Sequence, residues 1–117
     1  MHMEKKPLTV KKPWGKFEEY TRNEKTSVKI ISVNKGGILS LQSHKHRKEF
    51  WVALDEGLTA EIFGKKIKLK KGQTVTIHKK TKHRISATKN ARFLEISYGK
   101  FDENDIKRYE DKYGRAK

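Results

Sequence analysis

Apolar positions along the chain fall in short alternating runs, each bounded by turn residues. Lys16–Tyr20, entered through the turn Pro13-Trp14-Gly15, has strand character. Ser27–Val33 is rich in β-branched residues and reads as a strand. After the turn Lys35-Gly36-Gly37 come strands over Leu39–His46 and Phe50–Leu54. Asp55-Glu56-Gly57 turns the chain into a hairpin, Leu58–Phe63 with Ile67–Leu69, around Gly64-Lys65-Lys66. Lys71-Gly72 leads into Thr74–Ile77. A basic loop, Lys79–Lys82, precedes His83–Ala87, and Arg92–Tyr98 closes the series. Strands at roughly eight- to twelve-residue spacing predict an antiparallel sandwich or barrel.

Phe101–Tyr113 breaks the pattern. Asp102 can cap a helix whose first turn, Glu103 to Asp105, is acidic, and Gly114 can end it. A short C-terminal helix is therefore expected.

The stretch L-S-L-Q-S-H-K-H-R-K-E-F-W at 39–51 carries the candidate chemistry. On a strand, Ser40, Gln42, His44 and His46 share one face. Two imidazoles two residues apart lie roughly 6–7 Å apart at Cβ, so both rings can reach one ion. His83, flanked by Lys82 and Arg84, supplies a third imidazole. The competing interpretation of His44 and His46 is a polar pair on a half-exposed strand. Glu49 is either a general base or a further ligand; alternation points it away from His46 unless the chain bends at Arg47-Lys48.

Composition narrows the classes. At 117 residues the chain is one domain. It has no cysteine, which excludes disulfides, thiolate metal sites and a cysteine nucleophile. Apolar runs are too short to span a membrane, and no signal peptide is evident, so a cytoplasmic location is expected. The formal net charge is +15. Lysines outnumber arginines 23 to 6, and few aromatics sit among the basic clusters. That argues against specific nucleic-acid recognition and toward anionic small molecules. Residues 1–11 are expected to form a flexible basic arm, with the domain over 12–117.

Gly36, the H-x-H at 44–46, Gly72 and His83 resemble the two histidine motifs of the cupin superfamily. The likeness extends to K-P-W-G at 12–15, the 39–51 stretch, T-K-H-R at 81–84 and D-I-K-R-Y-E-D-K-Y-G-R at 105–115. Together these resemble the cupin domain of type II mannose-6-phosphate isomerases, which in many members follows a mannose-1-phosphate guanylyltransferase domain. Two departures stand out. The family usually reads H-R-x-E-H-W, so Phe50 replaces a histidine expected to be a fourth ligand. The P-x-G-x-x-H of the second motif is here His78-Lys79-Lys80-Thr81-Lys82-His83.

The resemblance implies an all-β cupin double-stranded β-helix with metal and sugar-phosphate sites in its mouth. It places a divalent metal, zinc being the expected ion, on His44, His46 and His83. Glu49 and Arg47 are the expected catalytic residues; Gln42, Arg47, Lys82 and Arg84 are expected to bind substrate. The implied activity is metal-dependent interconversion of mannose 6-phosphate and fructose 6-phosphate. The alternative is a non-catalytic cupin that binds a sugar phosphate or another anion. Cupins of this size often pair through sheet edges, so a homodimer is expected, without a membrane partner.

Overall fold

The computed structural model describes residues 7–115. Eleven strands run along them: β1 (Leu8–Lys12), β2 (Gly15–Glu19), β3 (Thr26–Val33), β4 (Leu41–Ser43), β5 (Lys48–Ala53), β6 (Leu58–Ile62), β7 (Lys65–Leu69), β8 (Thr74–Ile77), β9 (His83–Ala87), β10 (Ala91–Tyr98) and β11 (Lys107–Glu110). They build a four-stranded sheet, β3-β10-β5-β8, a five-stranded sheet, β11-β4-β9-β6-β7, and a separate β1–β2 hairpin. Residues 1–6 of the expected arm lie outside the described residues, whereas Leu8–Lys12 pairs with β2 as a strand.

Alternation dictates which side chains fill the space between the sheets. Trp51 and Ala53 of β5 and Phe93 of β10 meet Leu58 and Ala60 of β6 and Ile85 and Ala87 of β9 in one core. These inward rows change character at one end of the barrel. The β5 row begins with Glu49, the β9 row with His83, and the β10 row runs on from Phe93 to Glu95 and Ser97, all buried. The opposite face of the four-stranded sheet carries a second cluster, Phe50, Val52 and Ile96, covered by Tyr20.

The β6–β7 turn uses Phe63 and Gly64, both with positive φ (50° and 83°). Two left-handed residues match the twist of a tight hairpin, so β7 starts at Lys65 instead of Ile67.

The expected C-terminal helix is replaced by turns and β11. Asp102 Oδ1 accepts from Asn104 N–H at 2.9 Å, which makes a local turn where a cap was expected. The Asp105 carboxylate accepts from the N–H groups of Lys45 and His46. β11 then pairs with β4. A local turn at Asp102 and long-range bonds to Asp105 thus claim two of the acidic residues that a helix start would have used.

Candidate metal and substrate site

Three buried side chains converge at the polar end of the barrel. The two Glu49 oxygens lie 3.6 Å from His44 Nε2 and 3.6 Å from His83 Nε2. One ligand atom from each of the three residues falls within 4.8 Å of the others. β5 and β9 deliver Glu49 and His83 as the first polar members of their inward rows. His44 arrives differently: β4 ends at Ser43, and the chain bends at Lys45 and His46.

Backbone carbonyls orient both rings. His44 Nδ1 bonds to the Asp105 carbonyl at 2.6 Å, and His83 Nδ1 to the Thr81 carbonyl at 2.8 Å. A carbonyl only accepts, so each Nδ1 carries the proton and each Nε2 presents a lone pair toward Glu49. His83 Nε2 is buried without a hydrogen-bond partner. A carboxylate and two imidazole lone pairs, all acceptors, face one another across the gap. That set suits a divalent cation.

Burial pushes the pKa of both imidazoles down; for His44 the Asp105 carbonyl and Glu49 pull the other way, and for His83 the Thr81 carbonyl and Glu49. Both rings are therefore neutral near pH 7, the form that binds metal.

Arg47 is the cluster's own cation. Its Nε donates to Glu49 Oε2 at 3.0 Å, Nη1 to the Asp102 carbonyl at 3.2 Å and Nη2 to His44 Nε2 at 3.3 Å. Its guanidinium lies 4.5 Å from the Phe101 ring centroid. Residues 101–105 thus close over the cluster, with Phe101 on Arg47 and Asp105 on His44.

Other expected site residues are placed elsewhere. His46 is exposed, outside the cluster, because the bend after Ser43 breaks the alternation that put it beside His44. Glu49 takes the third position instead. Gln42 pairs with His83 across β4 and β9, a register that puts both on one face of the sheet. Lys82 Nζ sits 4.3 Å from the Tyr109 ring centroid. Arg84 donates to the Leu39 carbonyl at 3.2 Å and pairs with Glu110 at 3.5 Å, on the sheet's outer face.

Phe50 does not stand in for a ligand. It is buried on the opposite face of β5 from Glu49, its ring 5.9 Å from that of Tyr20. Adjacent strand residues point to opposite faces, so no side chain at position 50 reaches the cluster in this register. Lys80, at the position of the motif's glycine, keeps a left-handed backbone with φ 65°.

Glu95 and Asp105 gained no site role from sequence. Glu95 is buried on the inward row of β10, where burial and then the charge of Glu49 push its carboxyl up to about 7 against the pull of Arg47 and Lys29. For Asp105, burial acts upward, but the Lys45 and His46 N–H groups outweigh it and hold the carboxyl below its ordinary range. The inward alternation of β10 was a usable signal for Glu95; for Asp105 there was none.

Two antiparallel sheets closed around an apolar core, with a His/Glu/His cluster at one end, define a cupin. A cupin protein from Bacteroides fragilis superposes with a TM-score of 0.57 at 27% identity, covering 66% of this chain and 70% of that one. The chain belongs to the family described as mannose-6-phosphate isomerase C-terminal, whose match covers residues 1–111. Alginate biosynthesis protein AlgA of Pseudomonas syringae pv. tomato is 32% identical over 93% of this chain. Mannose-1-phosphate guanylyltransferase ManC of Salmonella typhimurium is 32% identical over 92%. The chain spans 23% of the length of each of these relatives. Among the described residues, no helix is long and apolar enough to cross a membrane.

Proposed function

We propose that the chain is a metal-dependent sugar-phosphate isomerase that interconverts mannose 6-phosphate and fructose 6-phosphate. The observation that carries this is the buried cluster of His44, Glu49 and His83, with an unpartnered imidazole nitrogen aimed at a carboxylate. These three residues would hold a divalent ion, zinc by their donor chemistry, with Gln42 opposite His83 as a further ligand. Such an ion, when bound, polarises a sugar carbonyl.

The chain's own groups divide the remaining work. Glu49 is engaged by Arg47 and faces both imidazoles, so of the two roles open to it from sequence, base or ligand, it serves to hold the cation. Glu95, with its carboxyl near 7, is suited to take a proton from one sugar carbon and return it to the next. Arg47 fixes Glu49 and offers a positive charge to the sugar oxygens. Phe101 and Arg47 together keep water from the cluster.

A homodimer accords with the outward row Val28 and Ile30 on edge strand β3, 58% and 59% exposed. Light scattering on the purified chain tests it.

The isomerase reading is tested by incubating zinc-loaded chain with mannose 6-phosphate and following fructose 6-phosphate. Turnover abolished by chelation and by Glu49→Gln supports the reading. Saturable sugar-phosphate binding without turnover replaces it with the non-catalytic cupin.

A further inference from the structure

The cations expected to hold the phosphate are committed elsewhere. Arg47 is locked to Glu49 and Arg84 to Leu39 and Glu110, while Lys82 lies on Tyr109. A different set of cations makes no ion pair, although Lys107 Nζ lies 5.2 Å from the Tyr109 ring centroid. A cavity of about 720 Å³ is lined by Lys45, His46, Lys80 and Lys107, with Tyr109 in its wall. That volume accepts a small organic ligand. Among the described residues, Lys45, Lys80 and Lys107 have no carboxylate in ion-pair range.

The cavity's two carboxylates, Asp102 and Asp105, keep their charge but are turned to backbone N–H groups and make no ion pair with these lysines, so three ammonium groups stand against two carboxylates. Asp105 accepts the N–H groups of Lys45 at 2.8 Å and His46 at 2.9 Å, and Asp102 accepts that of Asn104 at 2.9 Å. Two further features suit an anion. Ser43 Oγ and Tyr109 OH lie 2.9 Å apart, and a bond between two hydroxyls uses one hydrogen and leaves the other to donate. Lys80 holds a left-handed backbone, φ 65°, pinned by its N–H donating to the His44 carbonyl at 2.6 Å. Such a backbone costs a lysine more than a glycine, so its side chain earns an explanation beyond the turn.

We propose that this cavity is a phosphate-monoester site, with the anion held between Lys45, Lys80 and Lys107 and a hydroxyl of the Ser43–Tyr109 pair as a further donor. A doubly charged anion matches several lysine point charges better than a single carboxylate does. The site shares its wall with the buried cluster: the Asp105 carbonyl holds His44, and the Asp102 carbonyl holds Arg47. Only the source of the phosphate, the sugar phosphate or a separate ester, rests on the isomerase reading.

The test titrates inorganic phosphate into the full chain at low ionic strength, read by calorimetry and amide NMR. Saturable binding is expected, with the largest shifts at Lys45, His46, Lys80 and Lys107. Lys45→Gln and Lys107→Gln should each weaken it about tenfold through loss of a charge-assisted bond. Lys80→Gly should weaken it similarly while keeping or raising the thermal midpoint, because glycine relieves the left-handed backbone. Unsaturable binding, shifts centred elsewhere, or unchanged affinity in a variant that combines Lys45→Gln, Lys80→Gly and Lys107→Gln overturns the site. In the isomerase assay, a raised KM with kcat retained in Lys80→Gly assigns the phosphate to the substrate. An unchanged KM alongside lost phosphate binding assigns it to a separate ester. Wild-type chain that binds phosphate here but turns over no sugar phosphate defeats the isomerase reading and leaves the site standing.

Discussion

Glu49 Oε1 and His83 Nε2 face each other 3.6 Å apart, an acceptor against an acceptor, in a space that excludes water from the nitrogen. A cation between them resolves the conflict, and its removal restores it. Zinc should therefore raise the thermal midpoint, by an amount that grows with the free ion concentration. Glu49→Gln should lower zinc affinity at least about tenfold, since it removes a charged ligand. His46→Ala should change it less than about twofold, because that ring lies outside the cluster. Calorimetric zinc titration of the three proteins decides. Equal losses for Glu49 and His46 would return His46 to the metal site.

Low pH should destabilise the zinc-free chain through the same two rings. Both have folded pKa values below the ordinary 6.5, chiefly from burial. The unfolded chain then binds more protons, so their contribution is complete above 6.5 and is lost as pH falls toward the lowered values. Urea midpoints between pH 7.5 and 5 should fall, and a His44→Gln, His83→Gln double variant should flatten the fall. Zinc affinity should decline over the same range, because protons compete for Nε2.

Glu95 should act in the opposite sense. Its carboxyl, raised from 4.5 to about 7, favours the protonated folded state. Its stabilising effect is complete below 4.5 and is lost as pH climbs through 7. Glu95→Gln should be more stable than the parent at pH 8.5 by on the order of 2 kcal/mol, and less so at pH 5. The same variant should reduce isomerase turnover far more than zinc binding. Denaturant melts at the two pH values check the first point and kinetics the second.

Phe50→His, which would restore the usual family residue, should not tighten zinc binding. Phe50 packs against Tyr20 and Ile96 on the far face of β5. Placing an imidazole there should cost about 2–3 kcal/mol through lost apolar contact and a buried polar group. An increase in zinc affinity would mean that β5 is registered one residue differently.

The sequence made the strands legible because alternation and glycine turns are local signals; β5, β8, β9 and β10 fall close to where they were expected. His44 and His83, candidate ligands by type and motif, both lie in the buried cluster with Glu49. His46 falls outside the cluster because the strand stops at Ser43 and the chain bends, breaking the alternation expected through position 46; Glu49, open from sequence as base or ligand, lies inside it. The bend is stabilised by Asp105, about sixty positions away, and no local pattern announces such a bond. Those distant bonds, a local turn at Asp102 and the pairing of β11 with β4 stand where the acidic segment's helix-start character predicted a helix.

Asp105→Ala should test that bond directly. It removes the acceptor for the Lys45 and His46 N–H groups and loosens the turn that presents His44. A stability loss of about 1–2 kcal/mol is expected, as for a lost cap, and a zinc affinity about tenfold weaker. Asp105→Asn keeps one acceptor oxygen and should recover part of both. Equal effects of the two variants on zinc affinity would place the role of Asp105 in its negative charge.

The rings of His44 and His83 are steered by main-chain oxygens, those of Asp105 and Thr81, which every amino acid carries. Side-chain exchange at those positions leaves the oxygens in place, so an alanine scan under-reports them. Loop length is the sensitive variable. One residue inserted between Gly99 and Asp105 would shift a carbonyl away from His44 Nδ1 while preserving every ligand. Among natural variants of this barrel, the number of residues joining β10 to β11 should therefore be held more tightly than their identities.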